Sequence, residues 1–330
     1  MVIPSVHTIK AETDRTLRRA NDPQKVILAY SVINVLLAAL LTVANALLSD
    51  RIADTGGLSN FGIRSILSTA QSVLPMIQSV VLLSLEFGYL HAILRISRGQ
   101  YADHTDLKVG FRRFGPILRL TILQYFLIFG ITMALFYLSM QIFLLTPWAD
   151  PLMDLLTPLV TLAGGDATAL MDEATMNQAF QMLLAMLIIY GIVCCLVLIP
   201  LFFRFRMAIY VLLDDPTGRA FPALRSSVRM MKGNCFRLFK LDLSFWWYYG
   251  LIALATGISY GDVILTMLGI SLPFNETVGF YLFYFLYLII LFAVYFFLRN
   301  PVEVAYAKVY DSLLDKPADN GVVLGNIFDM

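Results

Sequence analysis

Charge is scarce in this chain. Only 14% of its 330 residues are Asp, Glu, Lys or Arg, while 59% are hydrophobic. A soluble domain carries about 25% charge, so an ordinary water-soluble globule is excluded. Cysteine is scarce too: Cys194 and Cys195 are adjacent inside an apolar run, and Cys235 is the third. Neighbouring thiols rarely pair with each other, which argues against a disulfide framework. The three read as small buried hydrophobes, with lipidation or metal binding at the adjacent pair as the alternative. The three histidines, His7, His91 and His104, are not at ligand spacing. There is no His-Glu-x-x-His, no Gly-x-Ser-x-Gly and no phosphate loop. The residues therefore mark no reaction, no metal and no cofactor, and the expectation is a protein that is not an enzyme.

What the chain does have is long apolar runs. A helix needs about 20 apolar residues to cross about 30 Å of hydrocarbon. Six segments qualify: 26–48, 73–94, 120–145, 182–203, 243–259 and 278–298. The fifth is the shortest and extends toward 263–270 past Asp262. Backbone groups cannot go unpaired in lipid, so each span is expected to be helical. The first run is too long for a signal-peptide core, and its charged leader is too long as well. It reads as an uncleaved signal anchor despite the small-residue triplet Ala44-Asn45-Ala46.

The basic residues fall in alternate gaps between these runs. With Glu86 and Asp242 assigned to spans, one set of gaps holds 22 basic and 12 acidic residues, and the other holds 2 basic, Arg51 and Arg64, and 9 acidic. Lys and Arg near span ends resist translocation. The pattern predicts six crossings with both ends in the cytoplasm. The inner face should attract anionic lipid, at roughly 1 kcal/mol per cation near the surface. Nucleic acid is an unsuitable partner, because the cations lie on short membrane-adjacent segments and not on a soluble module. Trp148 at one boundary and Trp246, Trp247, Tyr248 and Tyr249 at the other take aromatic-belt positions.

Basic amphipathic segments precede the odd-numbered spans. Arg15 to Arg19 stand before a break at Asn21-Asp22-Pro23. Leu107, Phe111 and Phe114 form a stripe interleaved with Lys108, Arg112 and Arg113, and Gly115-Pro116 is expected to break the helix before the third span. Leu224, Ser227, Val228 and Met231 form another stripe flanked by Arg225, Arg229 and Lys232. Pro222 suits a first helical turn there and Gly233 a C-terminal cap. These helices are expected in the headgroup plane, apolar face down. A threefold hairpin repeat is one reading of the recurrence; the other is that any hairpin protein collects arginines at these points. The loop 146–177 is long and acidic, and Asn275-Glu276-Thr277 is a chance glycosylation pattern.

Glu86 is the one ionisable residue deep in a clear span. It lies nine residues before Arg95, about 13 Å at about 1.5 Å per residue. Such a group faces the bundle interior. Two readings stand: a proton- or cation-linked site, or a protonated acid hydrogen-bonded to a neighbouring helix. Asp242, at the start of the fifth span, reads as an interfacial acid paired with Lys240 or Arg237.

The most distinctive stretch is 200–247. It reads Arg-Phe-Arg-Met-Ala-Ile-Tyr at 204–210, Leu-Asp-Asp-Pro at 213–216, Ala-Leu-Arg-Ser-Ser at 223–227 and Met-Met-Lys-Gly-Asn at 230–234. Phe-Arg-Leu-Phe at 236–239 and Leu-Asp-Leu-Ser-Phe-Trp-Trp at 241–247 follow. This resembles the integral-membrane family known as domain of unknown function 975. Ser-Arg-Gly at 97–99, Gly-Phe-Arg-Arg-Phe-Gly at 110–115, and Tyr306 and Tyr310 after Pro301 also look like that family. The loop 146–177 is longer than the resemblance leads one to expect. The resemblance implies a bacterial plasma-membrane protein without an established activity.

The expectation is thus an all-α polytopic membrane helix bundle, one integral membrane domain over 1–330. It has six transmembrane helices, basic interfacial helices on the cytoplasmic side, and both termini inside. The favoured role is a non-enzymatic accessory or scaffold in the plasma membrane. It would hold anionic lipid or a membrane partner through Arg112, Arg113, Arg225, Arg229 and Lys232. A small secondary transporter using Glu86 is the alternative.

Overall fold

The computed structural model describes residues 3–20, 23–54, 61–146, 173–215, 217–267 and 276–314, and among them every regular element is helical. The loop 147–172, Asn275 and the C-terminal residues from 315 lie outside the described residues. Five helical stretches are long and apolar enough to cross a membrane, with mean hydropathies from 1.6 to 3.0. The backbone falls into two compact units, residues 1–118 with 207–330, and residues 119–206.

In the first unit α1 (Val6–Arg19) leads to α2 (Pro23–Asp54) and α3 (Phe61–Ser97). Pro23 opens α2, where its missing N–H has no helical partner to lose. The α3 helix ends in a Schellman motif. Gly99, at φ 73°, lets Gln100 N–H reach the Arg95 carbonyl at 2.9 Å, and its own N–H reaches Ile96 at 3.0 Å. A 3₁₀ turn His104–Leu107 and the short α4 (Lys108–Arg112) then pack along α3. Two glycines permit this. A Cβ on Gly88 would strike the Leu107 backbone, and one on Gly110 would strike the Ser84 carbonyl.

The helix α5 begins at Phe114 and runs to Leu144. The break before it is at Arg113, two residues ahead of the expected Gly115-Pro116. Pro116 falls in the first turn, where no intrahelical N–H bond is lost. In the second unit α5 and α6 (Glu173–Phe205) carry an edge-to-face pair, Phe136 and Tyr190, at 5.6 Å. Their outward apolar side chains, such as Phe126 and Leu196, are exposed.

The chain re-enters the first unit as α7 (Ala208–Asp214), α8 (Ala220–Met230) and α9 (Cys235–Leu243). The stripe on α8 is covered by protein: Leu224, Ser227 and Met231 are buried, and α8 packs on α7. On α1, Ile9 and Thr13 are buried in the same way, and the helix packs on α9 and on the last described helix. A periodic apolar face does not distinguish lipid from protein, which is why the headgroup-plane expectation does not describe these two faces. Pro222 takes the first-turn position expected of it, whereas the C-cap is Met231 and Gly233, at φ 80°, lies in the turn two residues beyond.

The segment expected as the fifth span is broken. The helix α10 (Trp246–Ser259) has 14 residues, and α11 (Gly261–Met267) follows a turn at Tyr260. A Cβ at Gly261 would meet the Phe283 ring at 2.7 Å, so the glycine allows close packing on α12 (Glu276–Val294). A π turn, Tyr295–Arg299, joins α12 to α13 (Asn300–Leu314). Pro301 supplies no N–H, and in an α-helix its ring would press on the carbonyl of Phe297. The wider turn relieves both problems.

Candidate functional site

The π turn carries Arg299 into the interior, where its side chain is 7% exposed. Its guanidinium lies 4.6, 4.9 and 4.8 Å from the ring centres of Tyr30, Tyr89 and Tyr295. Stacking on aromatic faces is favourable for a weakly hydrated planar cation. Nη2 pairs with the Glu86 carboxylate, and Nη1 donates to the Tyr30 hydroxyl at 2.8 Å. That hydroxyl donates to Glu86 Oε2 at 2.6 Å and accepts from Asn34 Nδ2 at 3.2 Å. Nε stands 4.0 Å from Glu303 Oε1, one turn further along α13.

The cluster ties three helices together. Tyr89 donates to Asn300 Oδ1 at 2.8 Å, and Asn300 donates to the Pro23 carbonyl at 3.3 Å. Tyr30 and Tyr89 stack at 4.7 Å. A buried pair of this kind adds little net stability over apolar residues, but removing one partner strands the other charge, at about 3–5 kcal/mol.

Asp242 has a different partner from those expected. Tyr306 on α13 donates to its carboxylate, and Tyr249 bonds Tyr306 at 2.7 Å. Arg237 donates to the Ile3 carbonyl at 2.7 Å, and Lys240 lies over the Phe236 ring at 4.8 Å.

A third cluster gathers where α1, α3 and α13 end. Arg98 grips Asp214 through two bonds of 2.8 and 2.6 Å, and Asp311 through a third of 3.0 Å. The hydrogen bond to Asp214 comes first among the causes that raise the Arg98 pKa above its ordinary value; partial burial opposes it. Ser97 donates to Asp311 at 3.0 Å, and Lys308 donates to the Ser97 carbonyl. A cavity of about 980 Å³ there is lined by Arg19, Arg98, Lys308 and Asp311 among others. Three helix C-termini meet at it, and the cations offset their partial negative charge.

The five expected cations divide. Arg112, Arg225, Arg229 and Lys232 are exposed. Arg113 instead donates to the carbonyls of Leu213 at 2.9 Å and Asp215 at 3.4 Å, completing the end of α7. The three cysteines are free, but none is buried as expected: Cys195 is exposed and Cys194 and Cys235 are half-buried. The sequence does not mark Arg299, Tyr30 or Tyr89, and it marks Tyr306 only through the resemblance and not as the partner of Asp242. In the sequence Arg299 is only one of the 22 basic residues of the cation-rich gaps. The available signal was Glu303 four residues on, which makes Arg299-Asn300-Pro301 more than a boundary.

Long apolar helices with polar clusters tying their ends define an all-α membrane protein. Within that class, the chain belongs to the family described as protein of unknown function (DUF975), whose profile matches residues 6–316. No curated protein and no solved structure matches the chain.

Proposed function

We propose that the chain is a non-catalytic accessory or scaffold protein of the bacterial plasma membrane that holds anionic lipid or an acidic membrane partner at its inner face. The observation that carries this reading is the division of the charged groups. The acids Glu86 and Asp242 are engaged by Arg299, Tyr30 and Tyr306, whereas Arg112, Arg225, Arg229 and Lys232 stand exposed.

Six crossings with both ends inside are part of the proposal. An even number is supported by the docking of α1. Ile3 N–H donates to Asn234 Oδ1 at 3.3 Å, Lys10 donates to the Ser244 carbonyl at 3.0 Å, and α1 packs on α13. The first and last described helices thus pack together in the first unit, and α10 with α11 serves as the extra crossing.

The test is native mass spectrometry of the purified chain with phosphatidylglycerol and phosphatidylcholine. Neutralising Arg112, Arg225, Arg229 and Lys232 together should abolish preference for the anionic lipid, with salt weakening the wild-type preference. Unchanged preference at low salt would restrict these residues to topology.

A second reading, transport through Glu86, has one observation in its favour. Its carboxylate keeps 30% side-chain exposure and faces a cation on a π turn, a feature found often at functional sites. On that reading Glu86→Gln would fold yet fail to rescue a deletion phenotype; full rescue would remove it.

A further inference from the structure

The other end of α2 carries a second concave feature. A groove of about 390 Å³ opens between α2 and α12, lined by Thr42, Asn45, Ser49, Asp50, Phe280, Tyr281 and Tyr284 with Ala46. Its volume falls within the range of small-molecule sites, about 300–1,000 Å³. Its two walls have different chemistry, and the sequence explains each. On α2 the positions 42, 45, 46 and 49 recur at three- and four-residue spacing, so they share one helical face. Three of those four residues, Thr42, Asn45 and Ser49, are polar within a helix otherwise rich in Leu, Val and Ala. On α12, positions 280, 281 and 284 likewise share a face, and all three are aromatic.

The aromatic wall is ordered by mutual packing. Phe280 lies 6.0 Å from Tyr284 with planes 12° apart, and 5.5 Å from Tyr281 at 72°. The polar wall offers acceptors. Thr42 donates its hydroxyl proton to the Ala38 carbonyl at 3.0 Å, and the Ser49 hydroxyl accepts from Gln71 at 2.8 Å. Asn45 Oδ1 is buried and has no hydrogen-bond partner. A buried acceptor of this kind calls for a donor. Asp50 adds a carboxylate at the rim, in the last turns of α2, where the helix dipole is negative.

Acceptors opposite aromatic faces, beside a carboxylate and a helix C-terminus, suit a cation that also has N–H donors. We infer that the α2–α12 groove binds a primary or secondary organic ammonium, with its N–H groups toward Asn45 and Asp50 and its carbon skeleton along Phe280, Tyr281 and Tyr284. A quaternary ammonium would leave Asn45 unpaired, and an anion would meet Asp50. The inference is independent of the proposal for the basic residues at the opposite end of α2. Two sources share this chemistry: a soluble amine, or the headgroup of an ethanolamine lipid.

The test uses the full chain in nanodiscs of phosphatidylcholine with phosphatidylglycerol, titrated with phenethylammonium and followed by thermal stability and saturation-transfer NMR. Saturable binding is expected, with neutral 2-phenylethanol and the quaternary trimethyl analogue at least about tenfold weaker, equal to about 1.4 kcal/mol. Asp50→Asn should weaken the amine about tenfold while leaving the unliganded melting temperature unchanged, because Asp50 is exposed. Tyr284→Leu should weaken it as well, and serves as the second variant. Repeating the titration in phosphatidylethanolamine nanodiscs separates the sources. Competition by that lipid makes it the occupant; unchanged binding makes the occupant a soluble amine. Absence of saturable binding in both disc types would overturn the inference, as would equal affinity for amine and alcohol or an unaffected Asp50→Asn.

Discussion

Arg299 shows how much one side chain can organise. Its head is flanked by three tyrosine rings and by the carboxylates of Glu86 and Glu303, drawn from α2, α3, the π turn and α13. Replacing it by Met, or Glu86 by Gln, should each lower the melting temperature in detergent, because the remaining partner loses its counter-charge. The double variant should lose less than the two singles combined. A coupling of about 1–3 kcal/mol is expected from residues sharing one network. Strict additivity in the thermal melts would show that the pair is not formed in the membrane protein. Asp215 offers a residue-level effect of pH. Partial burial raises its carboxyl, but the Thr217 hydroxyl and amide and the Arg219 amide hold it below the ordinary value. A group depressed on folding stabilises above its unfolded pKa, about 3.9, and loses that stabilisation as pH falls through the folded value. Protection of the Thr217 and Arg219 amides from hydrogen exchange should therefore fall below about pH 4. Asp215→Asn should show low protection at every pH.

At the scale of elements, the close packing of α4 on α3 depends on two glycines. Gly110→Val would press a side chain onto the Ser84 carbonyl. It should destabilise by about 1–3 kcal/mol, as overpacking does. Gly130→Ala is the control, since a Cβ there meets nothing within 4 Å; it should leave the melting temperature unchanged or slightly raised. A similar loss for both variants would mean that α4 does not pack as described. Much of this level was legible beforehand. Hydrophobic length placed spans on α2, α3, α5, α6 and α12, the last running on into the π turn, because lipid imposes a simple length requirement. Helix ends beyond the apolar core were not legible: α3 begins twelve residues before the expected start at 73. Polar helical turns there are held by their own backbone bonds, which leave no hydropathy signal. The α8 stripe was read correctly as apolar and wrongly as facing lipid, for want of any signal from α7. Arg113 fell to the same difficulty, since a cation that completes a helix end looks like any other cation in sequence.

At the scale of the molecule, topology is open to direct measurement. In a variant lacking Cys194, Cys195 and Cys235, single cysteines placed at 50–65, 150–175 or 262–276 should react with an impermeant maleimide added outside intact cells. Cysteines at 100–110 or 215–232 should react only after lysis. Labelling of the last two regions from outside would sink the six-crossing arrangement. The polar clusters were the part least readable in sequence, because their members are far apart along it. Tyr30, Glu86 and Arg299 come together from three helices, and no local spacing reports that.

The docking of α1 also sets an order of events during synthesis. Its anchors are residues such as Asn234, Arg237 and Ser244, and its packing surface includes α13. The Pro23 carbonyl at the head of α2 likewise waits for Asn300. At about 5–20 residues per second, the ribosome needs on the order of tens of seconds to deliver those partners. Throughout that interval α1 has only its smaller contact with α3 to hold it. Its apolar side, with Ile3 and Ile9, is available to membrane or chaperone until the last helix arrives. A nascent chain stopped before α13 should therefore expose α1 to protease that the full chain resists.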